Sequence, residues 1–257
     1  MTGLIISRFL PTFPLSLIHM STKKDSYWIP LADLMTVLMV IFLFMAISYM
    51  VVIKKKQASQ NKIFEEYEKT KTGLFNELDS TFRKDAQKWN LKLDKDLSIK
   101  FTNPQVLFDE GRSDIKPEFK TILAEFLPKY LGVVMQEKYK DKIAEIRIEG
   151  HTNTKPINKT SDPYIDNMEL SQNRARNVLA FLRNQDCFTT LGNNEQARLQ
   201  YWLTANGLSF GRTVDAEDSL SFFSGKTIDN DKSRRVEFRI VTTSDEIINQ
   251  AIKKMKE

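Results

Sequence analysis

Cysteine and histidine are both scarce in this sequence. Its 257 residues include one cysteine, Cys187, and two histidines, His19 and His151. A single cysteine excludes an intrachain disulfide and any metal site built from several cysteines, and two histidines argue against a histidine-rich metal centre. We therefore predict no bound metal, whereas the cysteine count leaves the redox compartment of the protein open.

The usual sequence patterns of catalysis and of nucleic-acid binding are also missing. We find no nucleophile–base constellation and no glycine-rich phosphate loop, so the sequence predicts neither an enzyme nor a resident cofactor. The net charge of +5 is spread along the chain rather than gathered into one basic stripe. Nucleic-acid binding is therefore not expected either.

Long apolar runs are limited to one, residues 28–53, which reads WIPLADLMTVLMVIFLFMAISYMVVI. A membrane-crossing helix needs about 20 apolar residues, and this run exceeds that length. Tyr27 and Trp28 lie at one end, as in an aromatic belt, and lysines at 54–56 close the other. A buried helix of a soluble protein is the alternative, but a helix that is apolar on all sides is typical of a membrane span. We predict one transmembrane helix at 28–53.

The residues before the span do not determine its orientation. The segment 1–27 is apolar at first but is broken by Pro11 and Pro14, which disfavour a helix. A signal peptide is not favoured, because no small-residue cleavage site lies before the span. We expect synthesis to start at Met20, which leaves a short polar N-terminus. Two lysines precede the span and three follow it, which makes the count of flanking positive charges indecisive.

Beyond the span, residues 54–96 are rich in charge and lack proline. Apolar residues recur there mostly at helical intervals, which predicts an amphipathic helical linker or a short coiled coil. The members of this pattern are Ile63, Tyr67, Leu74, Leu78 and Phe82. A loose charged linker is the alternative, because Gly73 and the pair Trp89-Asn90 interrupt the pattern.

Residues 97–241 are long enough to form one domain with its own core. The segments LSIKF, VLFDEG, AEIRIEG and RRVEFRIV are predicted to be strands. Helices are predicted from Pro117, with Pro128 ending or kinking that helix, and at LSQNRARNVLAFLRN and EQARLQYWL. Strands that alternate with helices indicate an α/β fold, an α+β sandwich with helices on one face of a sheet. Residues 242–257 are expected to be a C-terminal helix or tail.

Four motifs in this domain resemble a known family. VLFDEG with IKPEF, IEGHTNTKP, NMELSQNRARNVLAFL and SRRVEFRI occur in the order and spacing of the OmpA-like peptidoglycan-binding domain. The resemblance covers nearly all of 97–241 and implies a periplasmic domain that binds the diaminopimelate-bearing peptide of the cell wall. It therefore also implies a cytoplasmic N-terminus and a span in the cell inner membrane.

A wall-binding site is predicted at the start of the helix LSQNRARNVLAFLRN. Ser171 is expected to cap that helix, which would place Arg174 in its first turn. Free backbone N–H groups, the positive helix end and a guanidinium would then converge on one carboxylate of a ligand. The alternative for Arg174 is a solvent-exposed helix arginine.

The resemblance adds further residues to this site. Besides Arg174, the residues that it implies are Thr152, Asn153, Asn167, Ser171 and Arg235. Asn167 is expected to shape the neighbouring loop. Asn153 stands where the family has an aspartate that receives the ammonium of the ligand, and an amide can accept a hydrogen bond there but carries no charge. Arg234 and Arg235 can both assist the site, although one of them is equally well a structural residue. His151 is expected to be a packing residue at a strand end.

Asp33 is a carboxylate inside the apolar run, where it costs free energy against lipid and is usually matched by protein or water. The stretch LADLMTVLMVIF resembles the region around the ion-carrying aspartate of flagellar stator B subunits. The resemblance implies that Asp33 carries H⁺ or Na⁺ and that a pentamer of multi-span A subunits surrounds a pair of B helices. Thr36 lies on the same helix face and is expected to hydrogen-bond the carboxylate or to contact the ion. The alternative is that Asp33 lies at the membrane interface, because it is about 8 Å along the helix axis from Trp28 and could reach headgroup water.

The compact span, the short linker and the long insert between NGLSF and SRRVEF are most similar to the B subunits of the Zorya anti-phage defence systems. This resemblance implies a homodimeric, peptidoglycan-anchored subunit of an ion-driven motor. Two alternatives remain open. One is a flagellar stator B subunit, and the other is a purely structural OmpA-like wall anchor without ion flow.

Overall fold

The computed structural model describes residues 28–157 and 159–245. The predicted N-terminal segment 1–27, with the expected start at Met20, and most of the predicted tail 242–257 lie outside these residues. The chain divides between Gln57 and Ala58 into two compact units.

Helices and strands alternate along residues 97–241, as the sequence predicts. The helices are α1 (Trp28–Phe82), α2 (Ala86–Trp89), α3 (Pro104–Leu107), α4 (Pro117–Val134), α5 (Glu137–Lys140), α6 (Pro163–Arg183), α7 (Asp186–Thr189), α8 (Asn193–Trp202), α9 (Ser221–Ser224) and α10 (Asn230–Ser233). The strands are β1 (Leu91–Leu93), β2 (Ser98–Phe101), β3 (Ile143–Gly150), β4 (Leu203–Gly207) and β5 (Val236–Thr242).

The strands form one mixed sheet in the order β1-β2-β5-β3-β4. The pair β3–β4 is parallel, and the other neighbouring pairs are antiparallel. The register places Ile148 opposite Phe238 and Glu149 opposite Glu237, so apolar and charged residues fall on opposite faces. Residues of α4 and α6 join the apolar face in a single core. This confirms the predicted α+β sandwich.

The last turns of α1 belong to this core. Leu74, Leu78 and Phe82 are completely or almost completely buried, and the ring of Phe82 stacks on Phe126 of α4 at 5.0 Å between centroids. Gly73 does not interrupt the helix. A Cβ atom at this position would lie 3.0 Å from the hydroxyl oxygen of Tyr139, so the glycine makes room for packing. With β1 also in the sheet, the folded unit begins well before residue 97.

Three local predictions were wrong. VLFDEG is not a strand, because Asn103 caps the short helix α3 by accepting from the N–H of Gln105 at 3.1 Å, and only an isolated bridge from Phe108 to Ile115 follows. Of the two predicted effects of Pro128, ending or kinking the helix, the first is wrong: α4 continues to Val134, with buried residues on both sides of the proline. Helix α6 begins at Pro163, and strands β1 and β4 were not predicted.

Candidate functional site

An open cleft lies where the loop after β3 meets the N-terminal half of α6. It is also bordered by the loop that follows α3 and by Arg234. The residues that line it are Glu110, Gly111, Thr152, Asn153, Lys155, Pro156, Ile157, Asn167, Leu170, Arg174 and Arg234. The structure therefore brings together four of the predicted site residues, and it leaves Ser171 and Arg235 outside the lining.

Two glycines let α6 lie directly on the ends of β3 and β4. A Cβ atom on Gly150 would lie 2.2 Å from the carbonyl oxygen of Ser171, and one on Gly207 would lie 2.4 Å from the backbone nitrogen of Gln172. Any side chain at either glycine would force the helix away from the strands. The glycine in the motif IEGHTN therefore sets the position of Arg174, which follows these two residues on α6.

Ser171 has a different role from the predicted one. It lies in the interior of α6, whose N-cap is Asp162; the carboxylate of Asp162 accepts from the N–H groups of Tyr164 and Ile165. The Ser171 hydroxyl oxygen accepts from the N–H of Ser209 at 3.0 Å and thus ties α6 to the segment after β4. The predicted convergence of free helix N–H groups on the site is therefore wrong, and the positive charge comes from side chains.

Arg174 is enclosed on several sides. Its side chain is buried, its Nε donates to the carbonyl oxygen of Arg112 at 2.9 Å, and its Nη2 donates to that of Asp109 at 3.1 Å. The centroid of the Phe108 ring lies 4.8 Å from the guanidinium carbon. Burial, with the neighbouring charge of Arg234, lowers the pKa of Arg174 to about 10. The guanidinium therefore stays charged at neutral pH, and Arg174 is not a solvent-exposed helix arginine.

This buried charge has no acidic partner in the part of the chain that the structure describes. Asp109 offers Arg174 only its carbonyl oxygen, because its carboxylate pairs with Lys116 at 3.3 Å. Burying an ion without a counter-ion costs several kcal/mol. The arrangement therefore favours an anionic ligand, and a carboxylate matches the planar guanidinium well.

The loop between β3 and α6 is held in place by two residues of the helix. The Asn167 amide donates to the carbonyl oxygens of Lys155 at 3.1 Å and Pro163 at 3.0 Å, which agrees with its expected role in shaping the loop. Asp166 accepts from the N–H groups of Lys159 and Thr160, both at 2.9 Å. The hydrogen bonds from Thr160 lower the pKa of the Asp166 carboxyl.

Arg234, rather than Arg235, reaches the cleft. Arg235 is buried, and its Nε donates to Glu237 at 2.6 Å. The reason is that side chains alternate between the two faces of a sheet along a strand. Arg235 lies on the same face as Glu237 and Arg239, whereas Arg234, two residues before Val236, lies on the face that the helices cover. The same alternation is readable in the motif SRRVEFRI, so this signal could have identified Arg234.

Below the cleft, the charged face of the sheet holds a buried network. The ring Nε2 of His151 lies 3.6 Å from Glu149 and 3.5 Å from Glu237. Burial lowers the pKa of His151. Burial by itself would raise the pKa of Glu237, but the charge of His151 once it is protonated, with those of Arg235 and further cations, outweighs it and holds this pKa at about 2.

In the first unit, the apolar run forms the N-terminal part of α1. Among the described residues, α1 is long and apolar enough to cross a membrane. Asp33 lies on the helix surface. The Thr36 hydroxyl donates to the carbonyl oxygen of Ala32 at 2.7 Å, and therefore not to the Asp33 carboxylate in this conformation.

Comparison with known proteins places both units in one family. Residues 107–194 match the OmpA family. Over 236 residues the chain is 34% identical to Zorya protein ZorB of Escherichia coli strain Crooks, and the alignment covers 90% of this chain and 95% of that protein. The chain belongs to the ZorB family. The ZorB relationship includes the apolar run as well as the folded domain, because the alignment extends over most of both chains.

Solved structures similar to this ZorB-family chain include a MotB-like protein and a MotB periplasmic domain. A MotB-like protein from Desulfovibrio vulgaris is 20% identical with a TM-score of 0.45, and covers 68% of this chain and 95% of its own. The periplasmic domain of Helicobacter pylori MotB (residues 78–256) is 19% identical with a TM-score of 0.39, and covers 62% of this chain and 85% of its own.

Proposed function

We propose that this chain is the B subunit of a peptidoglycan-anchored, ion-driven stator-type motor of a Zorya anti-phage defence complex. The N-terminus is cytoplasmic, residues 28–53 cross the inner membrane, and the folded unit lies in the periplasm and grips the cell wall. The observation that carries the wall-binding part of the proposal is the buried Arg174, whose charge lacks an acidic partner within the described residues. Membership of the ZorB family supports the defence context.

The cleft has the chemistry of a site for an acidic peptide. Arg174 and Arg234 both line it, and two uncharged side chains, Thr152 and Asn153, lie beside them. The stem peptides of peptidoglycan carry free carboxylates, and a diaminopimelate-bearing peptide is the ligand that the OmpA-like resemblance implies. A carboxylate held by Arg174 would replace the missing counter-ion and so offset part of the cost of burying the guanidinium.

Wall binding is tested by two arginine variants of the same helix. Arg174→Ala should weaken binding to diaminopimelate-type peptidoglycan by about 2–5 kcal/mol, because it removes the charged partner of a buried carboxylate. Arg176→Ala is the matched control, since Arg176 lies exposed on α6 and does not line the cleft. Pull-down with purified sacculi measures both, and thermal unfolding shows whether each variant is folded. Equal binding of a folded Arg174→Ala protein and the control would reject the site.

Asp33 is proposed to carry the transported ion, H⁺ or Na⁺. A carboxylate on a membrane-spanning helix costs about 3 kcal/mol or more against lipid, so its side chain requires protein or water around it. Multi-span A subunits, as a pentamer around a pair of B helices, would supply that environment. If the folded unit is fixed to the wall, work done at the span appears as movement of the A subunits around it.

This role is tested by substitutions that separate size from charge. Asp33→Asn keeps the shape and most hydrogen bonding but does not ionise, so it should preserve assembly and abolish phage protection. Asp33→Glu still ionises and should retain part of the protection. Plaque assays and immunoblots of membrane fractions measure protection and protein level. Full protection by Asp33→Asn would leave a purely structural wall anchor as the better function.

A further inference from the structure

The side chain of Asn153 presents a hydrogen-bond donor to the cleft. Its Oδ1 accepts from the backbone N–H of Lys155 at 3.2 Å. Because a backbone N–H can only donate, this contact fixes which end of the amide is oxygen. The amide nitrogen then has no hydrogen-bond partner, although Asn153 is only 5% exposed. The unpartnered atom of this amide is therefore a donor, and the oxygen that was expected to act as an acceptor already holds one hydrogen bond.

The neighbouring polar groups of the cleft also donate. The Nε of Arg234 is buried without a partner while its Nη2 pairs with Asp231 at 2.6 Å, and Arg174 adds a positive charge. Glu110 is the one carboxylate among the lining residues in the described ranges. It lies at the rim, where its side chain is 64% exposed and pairs with the Nζ of Lys155 at 2.8 Å. Among the residues that the structure describes, the enclosed part of the cleft thus combines positive charge with free donors and has no negative side chain.

We infer that the Asn153 end of the cleft recognises an oxygen acceptor of the wall peptide, such as a carboxylate, carboxamide or carbonyl oxygen, and not an ammonium. An ammonium placed against the Asn153 amide nitrogen would oppose two N–H donors, and it would lose hydration there without gaining an acceptor from that side chain. This inference rests on the proposed wall-binding function and names its ligand more closely. The ligand is an acidic peptide, and a free ammonium on its terminal side chain contributes nothing to affinity.

Two synthetic tripeptides test this directly. One is L-Ala-γ-D-Glu-meso-diaminopimelate, and the other carries 2-aminopimelate in third place, so that hydrogen replaces the side-chain ammonium. Calorimetry on the full chain in lipid nanodiscs should give affinities for the two peptides that agree within about threefold, since no charge-assisted hydrogen bond is lost. Asn153→Asp keeps an oxygen for the Lys155 N–H and adds a carboxylate. It should prefer the ammonium-bearing peptide by about tenfold or more.

A matched control separates local recognition from general charge. Asn173→Asp makes the same change on α6 at a residue that does not line the cleft, and it should leave the ratio of the two affinities unchanged. If the wild-type chain bound the ammonium-bearing peptide about tenfold more tightly, the inference would be wrong while wall binding stood. If neither peptide bound the wild-type chain, the proposed wall-binding function would fail and this inference with it.

Discussion

The burial of Phe82 makes the end of α1 part of the folded unit, and this can be measured as stability. Phe82 is 1% exposed, stacks on Phe126 at 5.0 Å and lies 6.3 Å from the Trp89 ring. Truncating a buried phenylalanine to alanine costs about 3–5 kcal/mol through lost burial and the cavity left behind. Since domains are stable by about 5–15 kcal/mol, Phe82→Ala should remove a large share of the total.

Phe64→Ala provides the matched control for this prediction. Phe64 lies on the same helix but is 56% exposed, so its truncation should change stability by about 0.5 kcal/mol or less. Urea unfolding of a fragment covering residues 58–257, followed by circular dichroism, compares the two. We expect the unfolding free energy of both variants to depend on urea concentration with the same slope. Only Phe82→Ala should have its unfolding midpoint lowered, by about 2 M urea. Equal midpoints for the two variants would refute the placement of the helix end in the core.

Three further predictions concern the cleft, its support and the assembly. Gly150→Ala should destabilise the fold and weaken sacculus binding, because its Cβ would lie 2.2 Å from the Ser171 carbonyl oxygen. Gly132→Ala, which has open space around it, should be neutral or stabilising, and thermal unfolding compares the two variants. The Glu237 pKa of about 2 lies below the ordinary 4.5, so the stability from this carboxylate is complete above about pH 4.5 and lost as the pH falls toward 2. Glu237→Gln should therefore flatten acid unfolding in that window, and a curve parallel to wild type would contradict this. Native mass spectrometry of the chain purified with its A partner should detect a pair of copies of this chain, and a single copy would oppose the proposed homodimer.

The buried network explains how the cleft is supported. Gly150 ends β3, and the next residue, His151, lies between Glu149 and Glu237 on the charged face of the sheet. Arg235 closes the network by its hydrogen bond to Glu237. These contacts fix the strand ends from which the loop containing Thr152 departs. Loss of the network in acid should therefore reduce ligand binding as well as stability.

Much of the architecture follows from the sequence because it depends on local periodicity. The apolar run at 28–53, the alternation of AEIRIEG and RRVEFRIV, and the start of α4 at Pro117 are each encoded within a few neighbouring residues. The four motifs were enough to identify the OmpA-like part of the chain. They also led to Arg174, whose burial the structure shows.

What only the tertiary structure decided depends on residues far apart in the sequence. Ser171 resembled a helix cap, but packing of α6 against Gly150 and Gly207 and the cap at Asp162 put it inside a longer helix. From the sequence, the end of α1 was predicted to be a linker, whereas in the folded structure it is buried against α4. The direction of the Asn153 amide was set by one backbone N–H in a folded loop. Periodicity describes one element at a time, whereas burial and hydrogen-bond partners are fixed only when separate elements meet.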